Sequence, residues 1–191
     1  ARGVNARAAA SEVAGRLAAA GIEDARFEAE LLAREAGGIS RAQYFAGSDL
    51  TPEATETLAD WAERRESREP ATYITGHREF FGREFGVGRG VLVPRPETEL
   101  LVELGIVELD TDPRAIVLEV GTGSGAVAVS IAAERPAATV IATEVSVEAI
   151  AFARSNATRH APGLLLLLGD LAAPVAHASV VLANLPYIPR W

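Results

Sequence analysis

Two short stretches of this 191-residue chain combine residue types that do chemistry together. The first is "LEVGTGSGA", Leu118 to Ala126, in which Gly121, Gly123 and Gly125 alternate with Thr122 and Ser124 between two apolar runs. Alternating glycines at a strand-to-helix turn let the backbone bend tightly and let a ligand approach with no Cβ in the way. Backbone N–H groups at the start of the following helix attract a carboxylate or a phosphate. Glu144 ends the next apolar run, "VIATE", where an acid lies beside such a loop and accepts both hydroxyls of a ribose. Asp170, in "LLGDL", adds an acid at the end of a third run, placed to accept from an adenine amino group. Glycines and acids together indicate an adenosine ligand. "GTGSGA" also fits G-x-G-x-x-A, which keeps a dinucleotide cofactor and a nicotinamide-linked oxidoreductase among the readings.

The second stretch is "VVLANLPYIP", Val180 to Pro189. The Asn184 side-chain oxygen and the Leu185 carbonyl accept two N–H bonds, and Pro186 holds Leu185 extended. The Tyr187 ring offers a flat face for stacking. Such a clamp holds a planar amide or amino nitrogen in line with a methyl group, which is catalysis mostly by positioning. Each feature alone has a plainer reading: a ligand-free turn, a solvated acid at a strand end, an Asx/Pro turn with an aromatic plug. Their convergence on one predicted sheet edge favours the site.

Composition narrows the chemistry. The chain has no Cys, and all 18 of its basic residues are Arg, so disulfides, thiolate metal ligands, Schiff-base lysines and P-loop lysines are excluded. No metal site is expected. Net charge is −8, and both halves carry an acidic excess, which argues against a large phosphate-neutralising face. With 49% hydrophobic residues a sizeable core is expected. No run approaches the roughly 18 apolar residues of a membrane span, and no signal peptide opens the chain. The expectation is a soluble, cytoplasmic, monomeric protein, and the missing start Met with the abrupt end reads as an incomplete chain.

The elements that must position these residues follow from periodicity and punctuation. Residues 1–70 read as a small helical bundle: "NARAAASEVAGRLAAAG" ends at Gly21, and "EDARFEAELLAREAGG" runs from Asp24 as candidate cap to Gly37-Gly38. "SRAQYFAG" is capped by Ser40, and "TPEATETLADWAERRESREP" has Thr51 as cap and Pro52 at the first helical position. Residues 71–96 are rich in Gly, aromatic and β-branched types and read as a hairpin or irregular strands joining two domains. "ETELLVELGIVEL" returns to helix. From residue 115 strands and helices alternate, which implies a parallel sheet with helices on both faces and the strand before Asn184 beside the first. "VLVPRPETE" divides evenly between a lid formed by Arg95 and Glu97 and a proline-stiffened helix start.

The motifs "TGHREFFGREFGV", "VLVPRPETELLVE", "LEVGTGSGAVAV" and "NLPYIP" resemble the class I S-adenosylmethionine-dependent methyltransferases that act on planar nitrogens. The resemblance is nearest to the release factor glutamine methyltransferases of the HemK/PrmC type, and the helical first 70 residues are similar to that family's amino-terminal domain. It implies an α/β Rossmann-like methyltransferase domain over residues 97–191, preceded by a substrate-docking helical bundle over 1–70 and a hairpin linker over 71–96. It implies that Gly121, Thr122, Gly123, Ser124 and Gly125 hold the methionine part of S-adenosylmethionine and that Glu119 orders the loop near the ammonium. Glu144 would hold the ribose, Asp170 and Leu171 would flank the adenine, and Asn184, Leu185, Pro186 and Tyr187 would hold the substrate glutamine, with Asn184 also beside the cofactor. The family most often has Asn-Pro-Pro-Tyr; here Leu185 replaces the first proline and keeps the carbonyl. Similar Asn-Leu-Pro-Tyr stretches in ribosomal RNA adenine dimethylases keep an adenine amino group as the rival substrate, and an inactive cofactor-binding fragment is the rival without enzymatic activity. The family's sheet continues past this motif, so the chain reads as a partial sheet of four strands, truncated at its C-terminus. The implied partner is a class-1 peptide chain release factor, methylated on the glutamine of its Gly-Gly-Gln motif.

Overall fold

The structure is a computed structural model and describes residues 3–185. It divides into two compact units, Ala1–Thr75 and Gly76–Trp191.

The first unit is helical because its sequence supplies start and stop signals at each turn. Helix α1 (Ala6–Ala19) is capped by Asn5, whose Oδ1 accepts from the Arg7 and Ala8 N–H groups. It ends where Gly21 takes a left-handed φ of 75°. Helix α2 (Ala25–Gly37) stops at left-handed Gly38; Asp24 holds its N-cap position but makes no side-chain capping bond. Ser40 and Gln43 form a reciprocal capping box on α3 (Arg41–Ala46). Thr51 caps α4 (Pro52–Glu66), with Pro52 in its first turn. A two-residue bridge, β1 (Val4–Asn5) with β2 (Asp49–Leu50), closes the bundle, whose core includes Leu17, Leu32, Leu50 and Leu58. The segment expected to be strand-like from residue 71 begins instead with a helical turn, α5 (Ala71–Thr75), started by the Pro70 carbonyl and anchored by buried Ile74.

The second unit opens with a hairpin, β3 (His77–Phe80) paired with β4 (Arg83–Gly86). Its two turn residues, Phe81 and Gly82, both have positive φ, the combination that matches the twist of a two-residue hairpin. A 3₁₀ turn (Pro96–Thr98) then leads into α6 (Glu99–Thr111). The sheet follows: β5 (Ile116–Val120), β6 (Thr139–Glu144), β7 (Leu165–Leu168) and β8 (Val180–Ala183), all parallel in the order β7-β6-β5-β8. The strand before Asn184 therefore does lie beside the first strand of the sheet.

Helices α7 (Ala126–Glu134) and α8 (Val147–His160) connect the first three of these strands. The expectation of helices on both faces is not met among the described residues. Helix α7 touches α6 on one flank and α8 on the other, so the three form one layer, with α6 against β8, α7 against β5 and β6, and α8 against β6 and β7. The cause is crossover handedness. Both helical crossovers step in the same direction, from β5 to β6 to β7, and right-handed crossovers in one direction place their helices on one face. The return from β7 to β8 steps the other way and carries no helix. Leu182 faces α6 across Gly105, where an added Cβ would sit 3.2 Å from Leu182 Cδ1 and 2.6 Å from Ile131 Cδ1. By strand alternation Val181 points to the opposite face, where it is 59% exposed, and Leu165 at the other edge is 52% exposed. No helix among the described residues is long and apolar enough to cross a membrane.

Candidate functional site

The glycine loop between β5 and α7 is held by the backbone of β6. The N–H groups of Gly121 and Thr122 both donate to the Thr143 carbonyl, at 2.9 and 3.0 Å. Gly121, Gly123 and Gly125 all have left-handed φ, between 59° and 83°. The space over Gly123 is open, with no atom within 4 Å of where a Cβ would stand. Gly125 is the opposite case: a Cβ there would meet Ala153 of α8 at 3.2 Å, so its small size lets the loop settle on that helix.

Two acids brace the loop. Glu119, 4% exposed at the end of β5, accepts from the Thr122 hydroxyl and from the Ala128 N–H at 2.9 Å. Burial drives its pKa up from 4.5 to about 7, against the lowering effect of those two bonds and with a further rise from the charge of Glu144. Glu144 ends β6. Its Oε2 accepts the Gly123 N–H at 2.8 Å, and its Oε1 accepts the Val145 and Ser146 N–H groups at 2.9 and 3.0 Å. The sequence reading left this carboxylate free for two hydroxyls. In the fold, three of its roughly four acceptor positions are already taken by backbone.

A cavity of about 60 Å³ lies between three segments. Leu92, Pro94, Arg95 and Thr98 form one wall; Glu119, Gly121 to Ser124, Ala126 and Val127 form another; Asn184 closes the end. Asn184 is exposed, and its Nδ2 donates to the Thr98 hydroxyl oxygen at 3.1 Å. Leu185 reaches back over the loop, so that a Cβ on Gly121 would lie 2.6 Å from Leu185 Cδ2. Gly125, Glu144, Asp170, Leu171 and Leu185 are outside the lining of this cavity. The Gly169 N–H donates to the Glu144 carbonyl, which sets Asp170 and Leu171 just beyond Glu144 on the same sheet edge. Both are exposed, and Leu171 has a left-handed φ of 48°, a strained setting for a branched side chain. Pro186 and Tyr187 lie outside the described residues.

Two further residues belong to the site. Thr98 is visible in sequence only as part of a helix start, because its partner Asn184 is 86 residues away. Asn156 is buried in α8, where Nδ2 donates to the Ser124 and Gly86 carbonyls at 2.8 and 3.0 Å and Oδ1 accepts the Gly86 N–H at 2.8 Å. It thus ties the glycine loop to the hairpin. Its signal was legible: it falls beside Ala153 and Ala157 on the buried side of α8, and a polar group on such a face must be satisfied. Of the even pair in "VLVPRPETE", Arg95 lines the cavity and Glu97 does not.

The residues fit an S-adenosylmethionine site: a buried carboxylate for an ammonium, an open cradle over Gly123, and an acid at the end of β6. Comparison with known proteins gives the family. The PrmC N-terminal domain model matches residues 8–76, and the Methyltransferase small domain model matches residues 97–189. The release factor glutamine methyltransferase of Moorella thermoacetica is 39% identical over 189 residues, covering 96% of this chain and 67% of that protein. That of Geobacter sulfurreducens is 39% identical, covering 92% of this chain and 62% of that protein. That of Burkholderia pseudomallei is 44% identical, covering 85% and 61%. The chain thus spans about two thirds of the length of these relatives. With both halves matched and its identity to such proteins sustained from end to end, this chain belongs to the release factor glutamine methyltransferase family.

Proposed function

We propose that this chain serves the transfer of a methyl group from S-adenosylmethionine to the side-chain nitrogen of a glutamine in the Gly-Gly-Gln motif of a peptide chain release factor. The observation that carries this reading is the cavity shared by the glycine loop, Glu119 and Asn184. Bound there, the sulfonium supplies an electrophilic methyl; the protein's residues do the holding. Glu119, when ionised, pairs with the ammonium beside the glycine loop. Glu144 receives a ribose hydroxyl at the acceptor position that its three backbone bonds leave open, and Asp170 and Leu171 border the adenine.

The nucleophile is a neutral amide nitrogen, weak because its lone pair is delocalised into the carbonyl. Asn184 Oδ1 and the Leu185 carbonyl each accept one of its N–H bonds and hold the lone pair in line with the methyl, with Tyr187 stacked on the amide plane. Positioning of this kind substitutes for a strong base. The methylated nitrogen then loses its extra proton to solvent. The net charge of −8 favours a protein partner over a nucleic acid, and a substrate from the translation machinery makes the cytoplasm the proposed location.

The test is tandem mass spectrometry of a release factor after incubation with the full-length protein and S-adenosylmethionine. One methyl should appear on the loop glutamine, and Asn184→Ala should slow its appearance at least about a hundredfold, the scale on which lost positioning acts. Methylation of an adenine in RNA, with the glutamine untouched, would replace this reading.

A further inference from the structure

The amide of Asn184 presents two ends of nearly the same shape and opposite hydrogen-bonding sense. Which end faces the cavity is decided by neighbours alone. In this fold Nδ2 donates to Thr98 Oγ1 at 3.1 Å, and among the described residues Oδ1 takes no donor. Thr98 is well placed to dictate this choice. It is half-buried at the end of the 3₁₀ turn, and its N–H closes that turn on the Arg95 carbonyl at 3.0 Å. Its β-branched side chain has few rotamers, so Oγ1 is held in place, and in this fold it accepts from Asn184. Both residues line the same cavity.

We infer that Thr98 is a positioning residue: by holding Asn184 Nδ2 it points Oδ1 at the substrate and makes the clamp an acceptor of N–H bonds. Without Thr98 Oγ1 the amide turns over freely. Turned over, it offers N–H to N–H and repels the glutamine amide it is meant to hold. The inference rests on the methyl-transfer reading above and adds to it a residue that acts through Asn184.

The experiment compares the full-length wild type with Thr98→Val, Thr98→Ser, Asn184→Ala and the double variant Thr98→Val/Asn184→Ala, with a release factor as substrate. Valine keeps the branched shape and removes the acceptor. Thr98→Val should lower kcat/KM for the release factor about tenfold, the scale of one oriented hydrogen bond. The dissociation constant for S-adenosylmethionine should move far less than kcat/KM, because what the turned amide loses is its acceptor for the glutamine N–H. Thr98→Ser should restore most of the rate, and Thr98→Val should add nothing once Asn184 is alanine. If Thr98→Val perturbs folding, Thr98→Ala, which cannot overpack the site, gives the same comparison.

The inference is overturned if Thr98→Val matches wild type while Asn184→Ala is inactive. It is equally overturned if Thr98→Val weakens cofactor binding as much as it slows turnover, or if the two substitutions act additively. Full activity of Asn184→Ala is a different failure: it removes the proposed clamp itself.

Discussion

Glu119 carries its carboxyl between a threonine hydroxyl and the Ala128 N–H, away from water, with a pKa raised to about 7. The unfolded chain has it near 4.5, so between those values the folded protein binds the extra proton. This contribution to stability is complete below about 4.5 and is lost as pH rises through about 7. On the proposed pairing of Glu119 with the cofactor's ammonium, binding runs the other way, since only the ionised form makes that pair. The affinity for S-adenosylmethionine should therefore rise as pH climbs through about 7, while the melting temperature of the ligand-free protein falls, and Glu119→Gln should flatten both curves. Calorimetric titration and thermal melts across that range check this; an unchanged pH slope in the Gln variant would sink it. At this scale the sequence was readable where residue type alone implies a conformation, as with the left-handed glycines of the loop. It was silent where role depends on who arrives nearby. Nothing in "PRPETE" says that Thr98 meets Asn184, and nothing in "VIATE" says that Glu144 will spend itself on three backbone N–H groups.

Among the elements, α8 holds the site together. Its C-terminal half grips the hairpin through Asn156, through Arg159 donating to Glu84 Oε1 at 2.8 Å, and through His160 Nε2, 2.7 Å from the Glu84 carbonyl. Asn156 also reaches Ser124, so one side chain fixes the glycine loop and the strand that leads into the opposite cavity wall. Asn156→Leu, similar in size but without polar atoms, leaves the Gly86 N–H and the Ser124 carbonyl without their partner. The expected cost is about 2–4 kcal/mol of unfolding free energy, measured by urea titration, with weakened S-adenosylmethionine binding in the same variant. A loss below about 0.5 kcal/mol, the ordinary surface effect, would show that the clamp is dispensable. Helix ends were the most legible features, because Ser40, Thr51, Gly21 and Gly38 act through bonds within a few residues of themselves. The side of the sheet taken by each helix was not legible. It depends on strand order, and strand order is settled by pairing between distant segments such as Val117 with Val180.

For the molecule as a whole, each unit has its own apolar core, one built on Leu17, Leu32 and Leu58 and the other on Phe85, Val102 and Val117. The charge of −8 is borne by carboxylates and arginines alone, several of them in forked pairs such as Arg16 with Glu66 and Arg64 with Glu69. The sheet is less self-contained. Its outer strands β7 and β8 have no strand partner on their far sides among the described residues, and Leu165, Leu168 and Val181 stand more than half exposed along them. Neither strand carries a proline or a charged residue to discourage a second chain from hydrogen-bonding to it. The apparent mass from light scattering should therefore rise with protein concentration for the 191-residue polypeptide, and Val181→Lys should suppress that rise while leaving the melting temperature unchanged; an equal rise in both proteins would clear β8. The outer strands, rather than the two cores, are then where one added charge is expected to make the polypeptide easier to keep concentrated.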